Sequence, residues 1–450
     1  MLTATARHAR VYSNWSSGVF ALVRSDGRLV TWGHPAYGGG LGRSAHGEAP
    51  WNVAAVTVGC RALAALLADG RVQTFGDAEW GGDCSEVQDQ LLEVVAVHNA
   101  GGAFAARKAN GTVVAWGQPG HGGRCDGLHD VVELVSNHMA FAAIVAGASC
   151  RVVTWGNAEC GGVTSESLRD RLKDVDKVEA SSRAFAAILR DETVVAWGDA
   201  EWGGDSSAVQ AELRQVHRVV PGQGFVALKR DGSLVAWGGT AAKHDLTELT
   251  EVHQVVPSGR AFTALRCDGS LRCWGDAAWG GRHGEPLLRA VRWVVGTSCA
   301  FAAVLEDDVV TWGDPKRGGD STAVRPLLRG AALQALVASS GAFAALTAQG
   351  VVITWGEAEA GGDSSAVQDD LHDVVEIFAT GSAFAAMRLD GSIVTWGHSH
   401  WGGDSSAVCD LLRPQNRARS RVGRCKNGRI GVDEKMGFKI SSTSITTHIS

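Results

Sequence analysis

Residues 384–397 read Phe384-Ala385-Ala386-Met387-Arg388-Leu389-Asp390-Gly391-Ser392-Ile393-Val394-Thr395-Trp396-Gly397. Two short apolar runs flank an Asp-Gly pair, and the second run ends in Trp-Gly. Asp-Gly between such runs signals a hairpin, because glycine accepts positive φ without steric cost. Upstream, Val374-Val375-Glu376-Ile377 is a third run rich in β-branched residues. Three strands in a meander follow.

The unit recurs along the chain. Its closing Trp is residue 32, 116, 155, 197, 237, 274, 312, 355 or 396, and Phe75 replaces it in the second unit. Successive markers are 37 to 43 residues apart. Related turns stand at Asp26-Gly27, Asp69-Gly70, Asn110-Gly111, Asp231-Gly232, Asp268-Gly269 and Gln349-Gly350. One such unit cannot bury its own apolar face, so a stacked or circular array is expected. The reading is all-β: a β-propeller-like array of ten three-stranded blades over residues 8–410, followed by a basic tail, 411–450. Closed ring, open spiral and split array all remain open from the sequence.

A two-residue Asp-Gly turn would place Ala385 across from Trp396, Ala344 across from Trp355 and Ala21 across from Trp32. The small residue then makes room for the indole within one sheet. The Phe twelve residues before each Trp (20, 104, 185, 225, 262, 343, 384) falls on the other face. Large aromatics on both faces suit blades packed between two neighbours. In the same register Cys267 lies opposite Ser270 and Cys273 opposite Ala264, which directs the two thiols to opposite faces.

After Trp-Gly comes a loop such as Asp199-Ala200-Glu201-Trp202-Gly203-Gly204-Asp205-Ser206-Ser207-Ala208-Val209-Gln210. Gly-Gly suits unusual backbone angles, and Asp-Ser before Ala-Val-Gln suits a cap and a short helical turn. The sixth unit lacks the Gly-Gly, reading Gly239-Thr240-Ala241-Ala242-Lys243-His244. The residue five after the marker varies: Tyr37, Trp80, His121, Cys160, Trp202, Ala242, Trp279, Arg317, Ala360 and Trp401. A varied residue in a fixed loop suits a readout surface, so Tyr37, Trp80, His121, Trp202, Trp279, Arg317 and Trp401 are candidate partner-binding positions. The competing reading is that each fills the gap to the next blade. Asp83, Asp205, Asp320, Asp363 and Asp404 recur after Gly-Gly. They are candidates for an acidic ring, although a helix-capping role accounts for them without a ligand.

Composition bounds the rest. The 450 residues carry 45% apolar and 20% charged side chains, as a packed globular protein does. No apolar run reaches membrane-spanning length, and residues 1–8 lack the apolar core of a secretion signal. A cytoplasmic or nuclear location is expected, with no membrane partner. The ten cysteines include no Cys-x-x-Cys pair, which speaks against a structural zinc site. Phosphate-binding loops, His-Glu-x-x-His and Gly-x-Ser-x-Gly are missing. Neither a cofactor, a metal nor a catalytic residue is therefore expected. Residues 411–450 hold nine Lys/Arg against two Asp/Glu, whereas residues 1–410 carry 33 against 46. An acidic body is a poor nucleic-acid binder. The exception is the tail, with Arg413, Arg417, Arg419, Arg421, Arg424, Lys426 and Arg429, a candidate anionic-surface or localisation patch.

The run from Gly381 through Phe384-Ala385-Ala386-Met387 and Asp390-Gly391 to Val394-Thr395-Trp396-Gly397 resembles the regulator-of-chromosome-condensation repeat, a β-propeller blade. The resemblance spans about residues 8–410. It departs in having Phe where that family usually has His, and in a unit nearer forty than fifty residues, as in shorter bacterial propellers of the superfamily. The resemblance implies a non-catalytic scaffold for protein partners. It offers two alternatives: a guanine-nucleotide exchange factor for a small GTPase, or a substrate-recognition relative of repeat-bearing HECT ubiquitin ligases without their catalytic domain.

Overall fold

The computed structural model describes residues 9–41, 49–243, 246–282 and 288–413. These residues form ten three-stranded antiparallel sheets in strict chain order, each a meander. The blades span 10–33, 53–76, 94–117, 131–156, 175–198, 216–237, 252–275, 293–313, 333–356 and 374–397. Inner strands of successive blades touch all the way round, and the inner strand of blade ten also touches that of blade one. The array is a closed ring.

The hairpin differs from the sequence expectation. Arg388 N–H donates to Ser392 O at 2.9 Å and Gly391 N–H to Arg388 O at 2.8 Å. The loop therefore has three residues, Leu389-Asp390-Gly391, with Gly391 at φ +85°. A tight turn followed by a left-handed glycine is the favoured three-residue hairpin. Asp390 Oδ1 accepts from Ser392 N–H at 2.8 Å and holds the turn. The extra residue moves the register by one. Phe384, not Ala385, lies across from Trp396, as Phe343 does from Trp355 and Phe20 from Trp32. Likewise Cys273 lies across from Thr263 and Ala264 from Arg272.

The corrected register puts both aromatics on one face, where they stack. Phe20 and Trp32 have ring centroids 5.3 Å apart, and eight further Phe–Trp pairs among the described residues lie at 5.0 to 5.5 Å. The opposite face carries alanines. Phe384, Ala386 and Trp396 pack on Ala342, Ala344 and Leu346 of blade nine. Ala383 and Ala385, on the other side of the same sheet, pack against Phe20 and Trp32 of blade one. Room for the indole thus comes from the alanine face of the preceding blade, not from within the sheet. Aromatic face on alanine face is a head-to-tail contact, and such contacts close into rings when the rotation allows.

One hydrogen bond recurs at these seams. Eight of the nine marker indoles donate their N–H to the carbonyl of the first glycine in the preceding blade's Gly-Gly. Trp116 reaches Gly81 at 3.0 Å, Trp197 reaches Gly161 at 3.2 Å and Trp396 reaches Gly361 at 3.0 Å. Across the closing seam Trp32 reaches Gly402 at 3.1 Å. That glycine must be glycine. Gly402 sits at φ +95°, and a Cβ there would lie 2.5 Å from the Phe20 ring.

Two blades depart. In blade two, Leu63 and Phe75 replace the Phe–Trp pair, and Thr31 Oγ1 donates to Gly38 O instead, at 2.6 Å. In blade seven, Trp274 Nε1 is buried without a partner among the described residues, because the preceding loop lacks the Gly-Gly.

A short 3-10 segment links the blades and covers their outer edge. Gln88 Nε2 donates to Val72 O at 3.2 Å, and Gln210 and Gln368 do the same for Val194 and Val352. The edge strand is thus protected without a fourth strand. The last segment, Ser406–Leu411, closes the ring: Arg24 Nη1 donates to Leu411 O at 3.1 Å, and Val408 and Leu412 are buried beside Val11 and Leu22.

Trp197→Phe and Trp274→Phe remove the same volume, but only the first breaks a hydrogen bond and strands a buried carbonyl. Chemical denaturation should show Trp197→Phe to be the more damaging by about 1–3 kcal/mol. Equal losses would contradict the role given to the indole N–H.

Candidate functional site

All Trp-Gly loops lie on one end of the ring, beside the loops joining inner to middle strands. Asp77 N–H donates to Arg61 O, Asp199 N–H to Arg183 O and His398 N–H to Ser382 O, each at 2.9 to 3.1 Å. The variable residue is the last of a one-turn 3-10 helix, as in Ala78–Trp80, Ala200–Trp202 and Ser399–Trp401. A left-handed glycine follows and fixes its direction. Asp77 and Asp199 cap their turns through Glu79 and Glu201 N–H.

Tyr37, Trp80, His121, Trp202, Trp279, Arg317 and Trp401 are all half-buried, while Cys160 and Ala360 are buried and Ala242 is exposed. Trp279 and Trp401 lie over Gly259 and Gly381 of their own blades, where a Cβ would come within 2.4 and 2.9 Å of the ring. Each fills a gap and presents its remaining surface to solvent. His121 Nδ1 accepts from Gly102 N–H at 3.0 Å. Arg317 lies 3.5 Å from Cys299 Sγ and 3.9 Å from Glu357.

The loops join into an arc from blade ten to blade three. His398 and His400 have ring centroids 5.8 Å apart, and His400 and His34 5.9 Å across the closing seam. His34 stacks on Tyr37 at 3.9 Å. The Arg61 guanidinium lies over Tyr37 at 5.6 Å and over Trp80 at 4.5 Å. Trp80 meets His121 edge-on at 5.7 Å. On the far side of the ring Arg260 lies over Trp279 at 5.4 Å. The sequence reading did not single out His34, Arg61, Arg260, His398 or His400. Arg61, Arg183 and Arg260 each precede the alanine that opens a middle strand, so aligning the units on that alanine exposes them.

The repeated aspartates act as local caps. Asp83, Asp205, Asp363 and Asp404 each accept from the N–H two residues on, at 2.8 to 2.9 Å, and Asp320 also accepts from the Thr322 hydroxyl. These bonds hold all five carboxyls below their usual pKa. Among the described residues no group of three or more His, Cys, Asp or Glu is placed to hold a metal, and no helix is long and apolar enough to cross a membrane. Arg413 is exposed at the end of the described chain. Arg417, Arg419, Arg421, Arg424, Lys426 and Arg429 lie outside the described residues.

No family model and no curated protein matches the chain. Solved structures do. Prp20p from Saccharomyces cerevisiae, reported with its binding to Gsp1p and histones, is 17% identical over 63% of this chain and 80% of its own, with a TM-score of 0.33. The CRINKLY WD40 ectodomain of the Arabidopsis thaliana receptor kinase ACR4 is 16% identical over 67% and 94%, also at 0.33. Human WBSCR16 is 17% identical over 64% and 83%, again at 0.33. The chain resembles the regulator-of-chromosome-condensation repeat proteins.

Burial disfavours charging of several histidines. His34 is lowered by burial and then by the charges of His400 and Arg61, His121 by burial and then His138, and His138 by burial. On the inner strand of blade three, burial and then Arg107 push His98 down to about 4. The unfolded chain takes up these protons near pH 6.5 and the folded one does not, so stability falls as pH drops from 6.5 towards 4. Between pH 7 and 4.5 His98 should account for about 2–3 kcal/mol of that loss. Denaturant titrations of His98→Gln should therefore show a flatter pH profile than the parent protein.

Proposed function

We propose that the ring is a non-catalytic scaffold that binds protein partners through its Trp-Gly-loop end. One observation carries this reading: a single backbone position, fixed by the same turn and the same following glycine, holds Tyr, Trp, His, Arg or a small residue from blade to blade. Outside blade two the Phe–Trp pairs at equivalent seams are uniform, whereas this position is not. Tyr, Trp and Arg are also the residues that supply most binding energy at protein interfaces. A rigid frame lowers the entropy cost of presenting them.

The test replaces Trp80, Trp202 and Trp401 together by Ala. Proteins captured by the parent ring should be lost to this variant. They should remain with a control carrying Trp51→Ala and Leu389→Ser on the hairpin end. Circular dichroism should stay unchanged in both. Retention by the three-Trp variant, or equal loss by the control, would place binding elsewhere.

A further inference from the structure

Arg61 differs from Arg183 in its pairing and from Arg260 in having a second aromatic ring, Tyr37, beside the guanidinium. Arg183, at the equivalent place in blade five, pairs with Asp199 at 3.3 Å and Glu159 at 3.4 Å. Arg61 approaches only Asp77, at 3.9 Å, and among the described residues its side chain donates no hydrogen bond. It is 45% exposed. Two aromatic rings, Tyr37 from blade one and Trp80 from its own blade, orient the guanidinium by cation–π contact. A planar, oriented guanidinium with free N–H groups is suited to a carboxylate, which it meets with two parallel hydrogen bonds. His34 of blade one stands near it, stacked on Tyr37, and His400 and then His398 follow across the closing seam; Nδ1 of His34 and of His398 is buried and unpartnered.

We infer that Arg61, with Tyr37, Trp80 and the neighbouring histidines, receives a carboxylate side chain from an acidic segment of a partner protein. The inference rests on the scaffold reading and names the chemistry of one partner contact. It has a pH consequence of definite sign. The charged and titratable groups along the site are Arg61, Cys60, Asp77, Glu79, Tyr37, His34, His121, His398 and His400. Burial and then the charges of His400 and Arg61 lower the pKa of His34 in the free ring. A bound carboxylate favours the protonated imidazole, so binding takes up protons and tightens as pH falls from 7.5 to 5.5. A basic partner would show the opposite trend.

The probe is a fluorescein-labelled hexa-aspartate peptide, compared with hexa-lysine and an uncharged Gly-Ser peptide by fluorescence anisotropy. Hexa-aspartate alone should bind, more tightly at pH 5.5 than at 7.5. Arg61→Gln should weaken it on the order of tenfold, since a charge-assisted contact is lost. Arg61→Lys should restore binding only in part, because it lacks the planar fork. Arg183→Gln, already paired in the free ring, should leave it unchanged, with melting midpoints confirming that each variant folds. Parent-like binding by Arg61→Gln, preference for hexa-lysine, or weaker binding at pH 5.5 would overturn the inference. If hexa-aspartate fails while the three-Trp variant still loses its partners, the carboxylate contact falls and the scaffold reading stands.

Discussion

The hydrogen bond from a Trp indole to a glycine carbonyl in the preceding blade is the interaction on which the ring depends. It needs three things at once. The indole must lie flat against its cross-strand Phe. The glycine must be left-handed, so that its carbonyl faces the indole. The preceding sheet must show alanines where the aromatics arrive. Trp32 with Gly402 meets these conditions across the chain's ends, much as Trp197 with Gly161 does in mid-chain. The seam that closes the ring is therefore built like seven of the others. Phe and Trp burial supplies most of the apolar energy at each seam, roughly 1.5–3 kcal/mol per side chain. The glycine carbonyl supplies direction: it sets the register of one blade on the next.

The same loop does two jobs. Its glycine receives the indole of the following blade, and the residue just before that glycine points out from the end of the ring. Packing fixes the backbone so firmly that the outward residue is free to vary. His34, Tyr37, Arg61, Trp80 and His121 then touch in sequence although they come from three blades. In the acidic repeat, one oxygen of Asp83 and of each equivalent accepts from the N–H two residues on.

Much of this was legible in the sequence. The Trp-Gly period gave ten units, and the β-branched runs gave three strands apiece. The register was misread at one place. Asp390-Gly391 looks like a two-residue turn, but Asp390 turns its carboxylate to Ser392 and recruits Leu389 into the loop. That single residue exchanges the partners of Trp396, and with them the face on which Phe384 lies. Alanine was read as making room for the indole within its own sheet, whereas the alanines that do so belong to the neighbouring blade. Ring closure was beyond local reading, because it depends on a small rotation added ten times. Arg61 was missed for a related reason: it lies in a different loop from Trp80 and a different blade from Tyr37, and only folding brings the three together.

Closure is tested most directly by the unfolding free energy of Trp32→Phe beside that of Trp274→Phe. Both remove an indole from a Phe–Trp stack, but only Trp32 has a glycine carbonyl to lose, and that carbonyl belongs to the far end of the chain. A closed ring predicts that Trp32→Phe is the more destabilising by about 1–3 kcal/mol. If the two variants lose the same stability, Gly402 does not meet Trp32 and the array is open.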